Sequence, residues 1–439
     1  MTVSRQTEGA AIAYGNSAAG KKMFAGISMV FSSSILTLTL ACETPSSTPP
    51  SGASSSREEP SPATRIAARS FPSAFQSWNV AEYLNDGQSR VKIATTEDSI
   101  TTMARHDLVW RGLDAWKLKA QGQYAGEAES FLPESVHAGL DLRGQLLAKN
   151  PNVILIAEIR YKNARGDFYP EDSPFWQRDG AGNRIPDSGS TVNPSTYFLL
   201  NFALPEFQDH VARQCKAAFN TGVVDGCFLD WWVPETASRI QLLTKVRAVA
   251  GDEALIIVNV NGTKPVKSAN LINGIYMEGL SSSFFNSWKT AADNIVWASA
   301  NLKAPRIIAL EAWFDPQTPV ESGRNDQQKM RRLTTLMLTH GDGYVLYGDP
   351  NSLPTPDHLH DWYPFWDKRL GTPVSAPHVQ QADGSYQREF QSGLVTYNPT
   401  AQAVTVHTDE LTRSMTTGSV SKVHTVKSLD GDLLMKQVQ

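Results

Sequence analysis

The stretch VVDGCFLDWW, residues Val223–Trp232, is the most informative in the chain. Its beginning has the apolar character of a buried β-strand. The strand nevertheless ends in a carboxylate, Asp230, and two tryptophans follow at once. Burying a charged carboxylate is costly unless the group is paired or used. Asp230 is therefore expected to lie at a functional edge of a sheet.

Residues 71–371 alternate short apolar runs with helical patterns. Strands are predicted at Ser73–Asn79, Leu108–Trp116, Val153–Arg160, Val223–Asp230, Ala254–Asn261, Gly274–Glu278, Arg306–Trp313 and Gly343–Tyr347. The clearest helices are predicted at Leu140–Lys149, Pro205–Asn220, Thr236–Ala250, Ser287–Asn301 and Asp326–Thr339. This alternation indicates the α/β class, as a (β/α)8 TIM barrel over residues 70–372. A doubly wound sheet is the alternative, but no Gly-rich phosphate loop follows the first strand.

The last part of the chain, residues 373–439, has a different pattern. Residues 388–408 (REFQSGLVTYNPTAQAVTVHT) alternate with period two around a turn at Asn398-Pro399. No helical period follows. This pattern predicts a small C-terminal all-β domain, similar to a β-sandwich.

The N-terminus has the features of a secretion signal. Lys21-Lys22 precede an apolar run over residues 23–40, and Ala41-Cys42 follow. Residues 1–42 thus resemble a bacterial lipoprotein signal with Cys42 as the lipidated residue, or alternatively an ordinary signal peptide or an uncleaved anchor. Residues 43–69 are Ser/Pro-rich and predict a disordered tether. The expected location is extracytoplasmic, lipid-anchored to a bacterial membrane at the periplasm or cell surface, or secreted if the lipid signal is not used.

Composition and cysteine content narrow the function classes. The formal net charge is −4 and 19% of residues are charged, without a basic block, so a nucleic-acid partner is not expected. Only Cys215 and Cys227 follow the signal. Both are predicted to be buried. Two unpaired thiols are the preferred interpretation, and a disulfide in an oxidising compartment is the alternative.

The strand ends place several carboxylates at one mouth of the predicted barrel. Alternation along a strand turns Phe228 and Asp230 toward the barrel axis. The same rule turns Tyr276 and Glu278, and then Glu311 and Trp313, inward at the ends of the sixth and seventh strands. Reactive groups of such barrels lie at the C-terminal strand ends. Two carboxylates across a sugar-sized gap are what glycoside hydrolysis requires.

The candidate residues fall into two groups. Asp230 and Glu278 are the predicted catalytic pair. The predicted substrate-binding residues are Glu311, Trp231, Trp232, Tyr276, Trp313, Asn259, Asn261 and Glu158. The three carboxylates have structural alternatives: Asp230 as a loop cap, Glu278 in an ion pair with Arg160, and Glu311 as a supporting residue. Glu158 and Arg160 could form an ion pair behind the site. Trp231 and Trp232 have opposite parity, so at most one should face the site.

These motifs resemble glycoside-hydrolase TIM barrels, including bacterial families related to the α-galactosidase clan and the endo-α-galactosaminidases. The resemblance covers about residues 70–372 and is carried by VVDGCFLDWW, LIIVNVNG, NGIYMEG and RIIALEAW. It implies a nucleophile at the end of the fourth strand, Asp230, and an acid at the end of the sixth, Glu278. The clan usually has Asp at the latter position. The α-amylase pattern fits less well, because the fifth strand ends in Asn259 rather than Glu.

The leading hypothesis is an extracytoplasmic glycoside hydrolase acting on an oligo- or polysaccharide. A non-catalytic carbohydrate-binding surface lipoprotein is the runner-up, since the same aromatic residues would serve it. A metal-dependent hydrolase is a third possibility, prompted by the run Asp357–Asp361 (DHLHD). Neither a metal nor a cofactor is expected, because no further ligand cluster accompanies that run.

Overall fold

The computed structural model describes residues 59–78, 98–187, 196–315, 317–319, 322–323, 326–350 and 358–437. The predicted signal (1–42), with its lipidation site Cys42, and the first part of the tether (43–58) lie outside the described residues, as does Asp357. Within the part of the chain that is described, no helix combines the length and apolar character that crossing a membrane requires.

The described elements are numbered in chain order. The strands are β1 (Phe75–Ser77), β2 (Leu108–Gly112), β3 (Ile154–Glu158), β4 (Asn163–Arg165), β5 (Tyr197–Leu199), β6 (Gly226–Leu229), β7 (Leu255–Asn259), β8 (Gly274–Leu280), β9 (Ile307–Trp313), β10 (Tyr344–Gly348), β11 (Val379–Gln380), β12 (Tyr386–Phe390), β13 (Gly393–Asn398), β14 (Val404–Ser414), β15 (Val420–Val426) and β16 (Asp430–Lys436). The helices are α1 (Pro62–Ala68), α2 (Ser99–Met103), α3 (Pro133–Lys149), α4 (Pro205–Asn220), α5 (Ala237–Ala250), α6 (Trp288–Asn301) and α7 (Gln327–His340).

Eight parallel strands form the barrel, and the predicted (β/α)8 architecture is confirmed. Their order is β1-β2-β3-β6-β7-β8-β9-β10. The ring closes where Ala74 bridges Val345 in parallel and the Val345 N–H donates to the Ser73 carbonyl at 3.0 Å. Gly226 permits the close approach of β6 to β7, because a Cβ at this residue would lie 1.9 Å from the Leu255 carbonyl oxygen.

Successive strand residues alternate between the barrel interior and the layer of helices outside it, as predicted. The interior of the barrel contains Phe228 and Tyr276 packed with inward residues of the other strands. Cys227 and Leu229 instead contribute to the layer between strands and helices. Asp230, which directly follows β6, consequently lies at the barrel mouth.

Sequence signals explain where the outer helices begin. Pro205 occupies the first turn of α4, a position that needs no backbone N–H donor. Side chains of Thr236, Ser287 and Asp326 accept hydrogen bonds from the first turns of α5, α6 and α7. The predicted helices are therefore found with boundaries shifted by at most one residue, except that α3 begins seven residues earlier than predicted.

The prediction of a disordered tether is wrong for residues 59–69. This segment contains α1, in which Arg65 and Ile66 are buried. Ile66 joins the apolar interior of the barrel, and Arg65 forms an ion pair with the buried carboxylate of Asp225. The Ser/Pro-rich composition of the segment gave no indication that Arg65 and Ile66 are buried against the barrel.

Cys215 and Cys227 form a disulfide, which corrects the preference for two unpaired thiols. Cys215 lies on α4 and Cys227 on β6, with 5.9 Å between their Cα atoms. Both face the apolar layer between helix and strand, as the sequence indicates. Their proximity depends on the packing of α4 against β6, which residue spacing alone does not define.

Two antiparallel sheets accompany the barrel. The long loop after β3 contains a hairpin-like pair, β4 with β5. At the C-terminus, six strands form one sheet in the order β11-β12-β13-β16-β14-β15. The all-β domain is confirmed, but as one sheet rather than as a sandwich among the described residues. It packs on α7, where Arg331 pairs with Asp430 at 2.7 Å.

Candidate active site

Four neighbouring strands bring polar side chains to the barrel mouth. Asp230 directly follows β6, Asn259 ends β7, Glu278 lies near the end of β8, and Glu311 lies near the end of β9. Since parallel barrel strands end at the same rim, these residues converge although they are far apart in sequence. The structure therefore brings together the two predicted catalytic carboxylates.

Asn259 bridges the two carboxylates. Its Nδ2 donates to Asp230 Oδ1 at 2.8 Å and to Glu278 Oε2 at 2.6 Å. Its Oδ1 accepts the Asn261 backbone N–H at 3.1 Å, which orients the amide with its NH2 group toward the carboxylates. Because one nitrogen contacts both acids, these carboxylate oxygens lie no farther apart than the sum of 2.8 Å and 2.6 Å.

The electrostatic environment separates the two acids. Burial raises the pKa of Glu278 to about 7, assisted by the charges of Asp230 and Glu311, while His358 opposes the increase. Burial also raises the pKa of Asp230, to about 6, and the neighbouring Glu158 charge adds to this effect. Paired carboxyl groups whose pKa values lie apart are suited to divide acid and base roles.

His358 joins the site from beyond β10, and sequence reasoning missed it. Its Nδ1 lies 2.9 Å from Glu311 Oε1, and its Nε2 lies 3.7 Å from Glu278 Oε1. Glu311 is fully buried and also accepts a hydrogen bond from the Tyr276 hydroxyl. His358 thus lies between the buried Glu311 and the predicted catalytic residue Glu278. Its only sequence signal was the histidine run, which suggested a metal site instead.

The side chains of Glu278, Glu311 and His358 are of the types that ligate metals. Ligand atoms of Glu278, Glu311 and His358 all lie within 4.8 Å of one another, and these residue types bind divalent cations. However, opposite ring nitrogens of His358 face the two carboxylates. The Nδ1 contact with Glu311 is at hydrogen-bond distance, whereas the 3.7 Å between Nε2 and Glu278 is the distance of an ion pair. The three side chains thus form a compact cluster of two carboxyl groups and one imidazole.

The two tryptophans after Asp230 have different environments. Trp231 is 40% exposed, adopts a left-handed φ of 53°, and lies 4.1 Å beneath the Lys162 ammonium. Trp232 is fully buried, and its indole N–H donates to Ser268 Oγ at 2.9 Å. Trp231 is therefore available to a sugar ring. The prediction that Trp232 binds substrate is wrong, because its ring packs in the layer outside the barrel.

Other predicted substrate-binding residues also lie behind the mouth. Glu311 and Tyr276 are completely buried and bind each other, so neither is accessible to a substrate. Asn259 contacts Asp230 and Glu278, as described above, and orients both carboxyl groups. Trp313 is nearly buried beside Phe284, whereas Asn261 is partly exposed at the rim.

Glu158 is also held by protein partners. It accepts hydrogen bonds from Trp78 Nε1 at 2.9 Å and Arg160 Nη2 at 3.2 Å. The ion pair with Arg160 is the structural alternative predicted for these two residues. Trp78, which sequence reasoning missed, follows β1 and packs edge-on against Phe228 at 5.4 Å between centroids. It forms part of the floor of the mouth.

A cleft of about 1000 Å³ adjoins this centre. It runs from Trp78 and Glu158 toward the segments that follow β2 and β3, and its lining includes Tyr124, Phe168 and Tyr197. Its volume is at the upper end of the range for ligand sites in proteins. A chain of several sugar residues could occupy a cleft of this size.

Comparison with known proteins supports the fold. No protein-family model matches the sequence, and no curated protein matches it. Among solved structures, the chain resembles a noncanonical maltogenic α-amylase from Thermotoga neapolitana, with 9% identity and a TM-score of 0.52 over 84% of this chain and 99% of that one. It also resembles an α-amylase from Lactobacillus plantarum, with 12% identity, a TM-score of 0.50 and the same coverage. At such identities, the likeness establishes a shared barrel architecture.

Proposed function

We propose that this chain is a glycoside hydrolase that cleaves O-glycosidic bonds with retention of configuration. One observation carries the proposal: Asp230 and Glu278 share the Asn259 amide at the barrel mouth. Retaining enzymes hold their two carboxyl groups about 5–5.5 Å apart, whereas inverting enzymes separate them by about 6.5–9.5 Å. The bound set by the shared nitrogen favours retention.

The geometry supports a two-step mechanism. Asp230 attacks the anomeric carbon while Glu278 gives its proton to the departing glycosidic oxygen, and a glycosyl ester forms on Asp230. Glu278, now ionised, takes a proton from water. That water attacks the anomeric carbon and releases the Asp230 carboxylate. The raised pKa of Glu278 keeps it protonated for the first step.

The division of roles matches the resemblance to the α-galactosidase clan, with the nucleophile after the fourth barrel strand and the acid on the sixth. We propose this correspondence for the roles alone. The substrate is expected to be a carbohydrate, and α-glucans are among the first candidates because two of the structural neighbours are α-amylases.

We also propose an extracytoplasmic location with a lipid anchor on Cys42. Two observations support it: the signal-like pattern of residues 1–42 and the disulfide between Cys215 and Cys227. Disulfides persist mainly in oxidising compartments. Metabolic labelling with a radioactive fatty acid, in the wild type and Cys42→Ala, would test the anchor.

The function is tested with a panel of neutral and acidic α- and β-glycosides and α-glucans. Wild type is compared with an Asp230→Asn/Glu278→Gln double variant prepared in parallel, which controls for contaminating enzymes. We expect hydrolysis by the wild type only. Proton NMR should show that the first-formed product has the same anomeric configuration as the substrate. An inverted first product would contradict retention. Binding without hydrolysis across the panel would favour the carbohydrate-binding alternative.

The pH dependence should follow the two acids. Asp230 must be ionised to attack, so activity is expected to fall as the pH drops below its pKa of about 6. Glu278 must be protonated to donate, so activity is expected to fall as the pH rises above its pKa of about 7. A narrow bell-shaped profile of kcat/KM between these values is therefore predicted, measured from about pH 4 to about pH 9. A kcat/KM that stays constant over the whole measured pH range would contradict the roles of Asp230 as nucleophile and Glu278 as acid.

A further inference from the structure

We propose that the cleft beside the catalytic pair binds an acidic sugar unit, one that carries a carboxylate or a sulfate ester. This inference rests on the proposed function and adds its substrate class. The cleft runs from Trp78 and Glu158 along the segment that follows β2. Glu158 is in register with Phe228, two residues before Asp230, and the Trp78 ring lies 4.9 Å from the His358 ring, so this end of the cleft adjoins the proposed site of cleavage.

Positive charge accumulates along the cleft. Five cationic side chains line it: Arg111, Lys117, Lys119, Arg160 and Arg165. Three acidic side chains line it as well: Asp114, Glu158 and Asp167. The chain as a whole has a formal net charge of −4, so this local excess of cations runs against the overall balance. The excess of two cations gives this concave surface a net positive charge, which favours anionic ligands.

Two of these cations are committed to acids of the cleft itself. Arg160 contacts Glu158 at 3.2 Å, and Arg165 Nε donates to Asp167 at 3.0 Å. Lys117 and Lys119, by contrast, are exposed and form no ion pair with any residue in the described part of the chain. Their charges are therefore available to a ligand.

Lys117 and Lys119 lie on a turn whose backbone is fixed by hydrogen bonds. The Lys117 N–H donates to the Asp114 carbonyl at 2.9 Å, and the Lys119 N–H donates to Ser135 Oγ at 3.1 Å. Between them and β2, buried Trp116 is fixed by a hydrogen bond from its indole N–H to the Ile156 carbonyl at 2.8 Å. Lys117 itself has a left-handed φ of 65°, a conformation that non-glycine residues seldom adopt outside constrained positions. The backbone is thus set before a ligand arrives.

Aromatic side chains complete the cleft. Tyr124, Phe168 and Tyr197 contribute to the lining, and the Arg160 guanidinium lies 5.6 Å from the centre of the Tyr197 ring. Aromatic faces pack against sugar C–H surfaces, while lysine ammonium groups neutralise a carboxylate or sulfate. Together they match an acidic oligosaccharide better than a neutral one or a small inorganic anion.

The test measures binding to the Asp230→Asn variant, so hydrolysis does not influence the result. Affinity electrophoresis compares hyaluronan and pectate, which carry carboxylates, and dextran sulfate, which carries sulfate, with neutral starch, dextran and galactomannan. We expect at least one acidic polymer to bind about tenfold more tightly than any neutral one at low salt, with the difference lost as salt increases. The carboxylate and sulfate arms distinguish the two sources of charge.

Charge-matched variants locate the site. In the same background, Lys117→Gln/Lys119→Gln should lose about tenfold in affinity for the preferred acidic polymer. The control Lys289→Gln/Lys303→Gln removes two lysines outside the cleft lining and should leave binding unchanged. Equal binding of acidic and neutral polymers would overturn the inference, as would equal losses in both double variants. Hydrolysis of neutral glycosides without an acidic preference would preserve the proposed function and reject only this inference.

Discussion

The Asp230→Asn substitution is expected to lower kcat by on the order of 10⁴–10⁶-fold, the scale seen when a hydrolase loses its nucleophile. Asparagine has the same shape as aspartate, and its side-chain oxygen can still accept the hydrogen bond from Asn259. The fold should therefore persist while the nucleophile is lost. Steady-state hydrolysis of the best substrate from the panel measures the effect, and circular dichroism verifies folding.

Glu278→Gln provides the comparison that separates the two roles. A general acid typically contributes about 10²–10⁴-fold, and less where the leaving group needs no proton. Glu278→Gln should therefore retain more activity on a dinitrophenyl glycoside than on the natural linkage, and added azide should restore turnover. Asp230→Asn should show neither behaviour. The exposed Asp293→Asn on α6 serves as a control with full activity, and comparable activity in Asp230→Asn would contradict its role.

The parts of the site that follow from strand alternation could be predicted from sequence. Asp230 and Glu278 lie where period-two parity and the barrel rim place them, since Asp230 directly follows β6 and Glu278 lies within β8. Their joint contact with Asn259 could not be predicted. Asn259 was expected to bind substrate, yet its side-chain nitrogen donates hydrogen bonds to the two acids. Side-chain partners across strands depend on stagger, which parity leaves open.

The contacts of His358 and the burial of Glu311 could not be predicted, because both depend on where His358 lies relative to the barrel mouth. No periodic pattern of the sequence fixes the position of a residue outside the strands and helices. His358 has a left-handed φ of 61° and covers Glu311, which would otherwise face the site. The same limit applies to Trp78, whose φ of 38° turns it across the barrel at the end of β1.

The Asp225→Ala substitution is expected to lower the free energy of unfolding by about 3–5 kcal/mol, the usual effect of removing one partner from a buried ion pair. Asp225 Oδ1 accepts hydrogen bonds from Arg65 and, at 2.8 Å, from Arg143. Its Oδ2 accepts the Leu155 backbone N–H at 2.9 Å. Alanine would leave the two guanidinium groups with the partly exposed Glu59 as their remaining shared acid, and one backbone donor of β3 without its partner.

Urea denaturation followed by tryptophan fluorescence measures this loss, with Asp209→Ala as the control. Asp209 pairs with Lys245 at the surface, so its removal should cost at most about 1 kcal/mol. An Asp225→Ala/Arg65→Met double variant should recover part of the stability, because one stranded charge is removed with the acid. Additive losses would contradict this coupling. Since Arg65 belongs to α1, a measured coupling would also show in solution that residues 59–69 belong to the folded barrel.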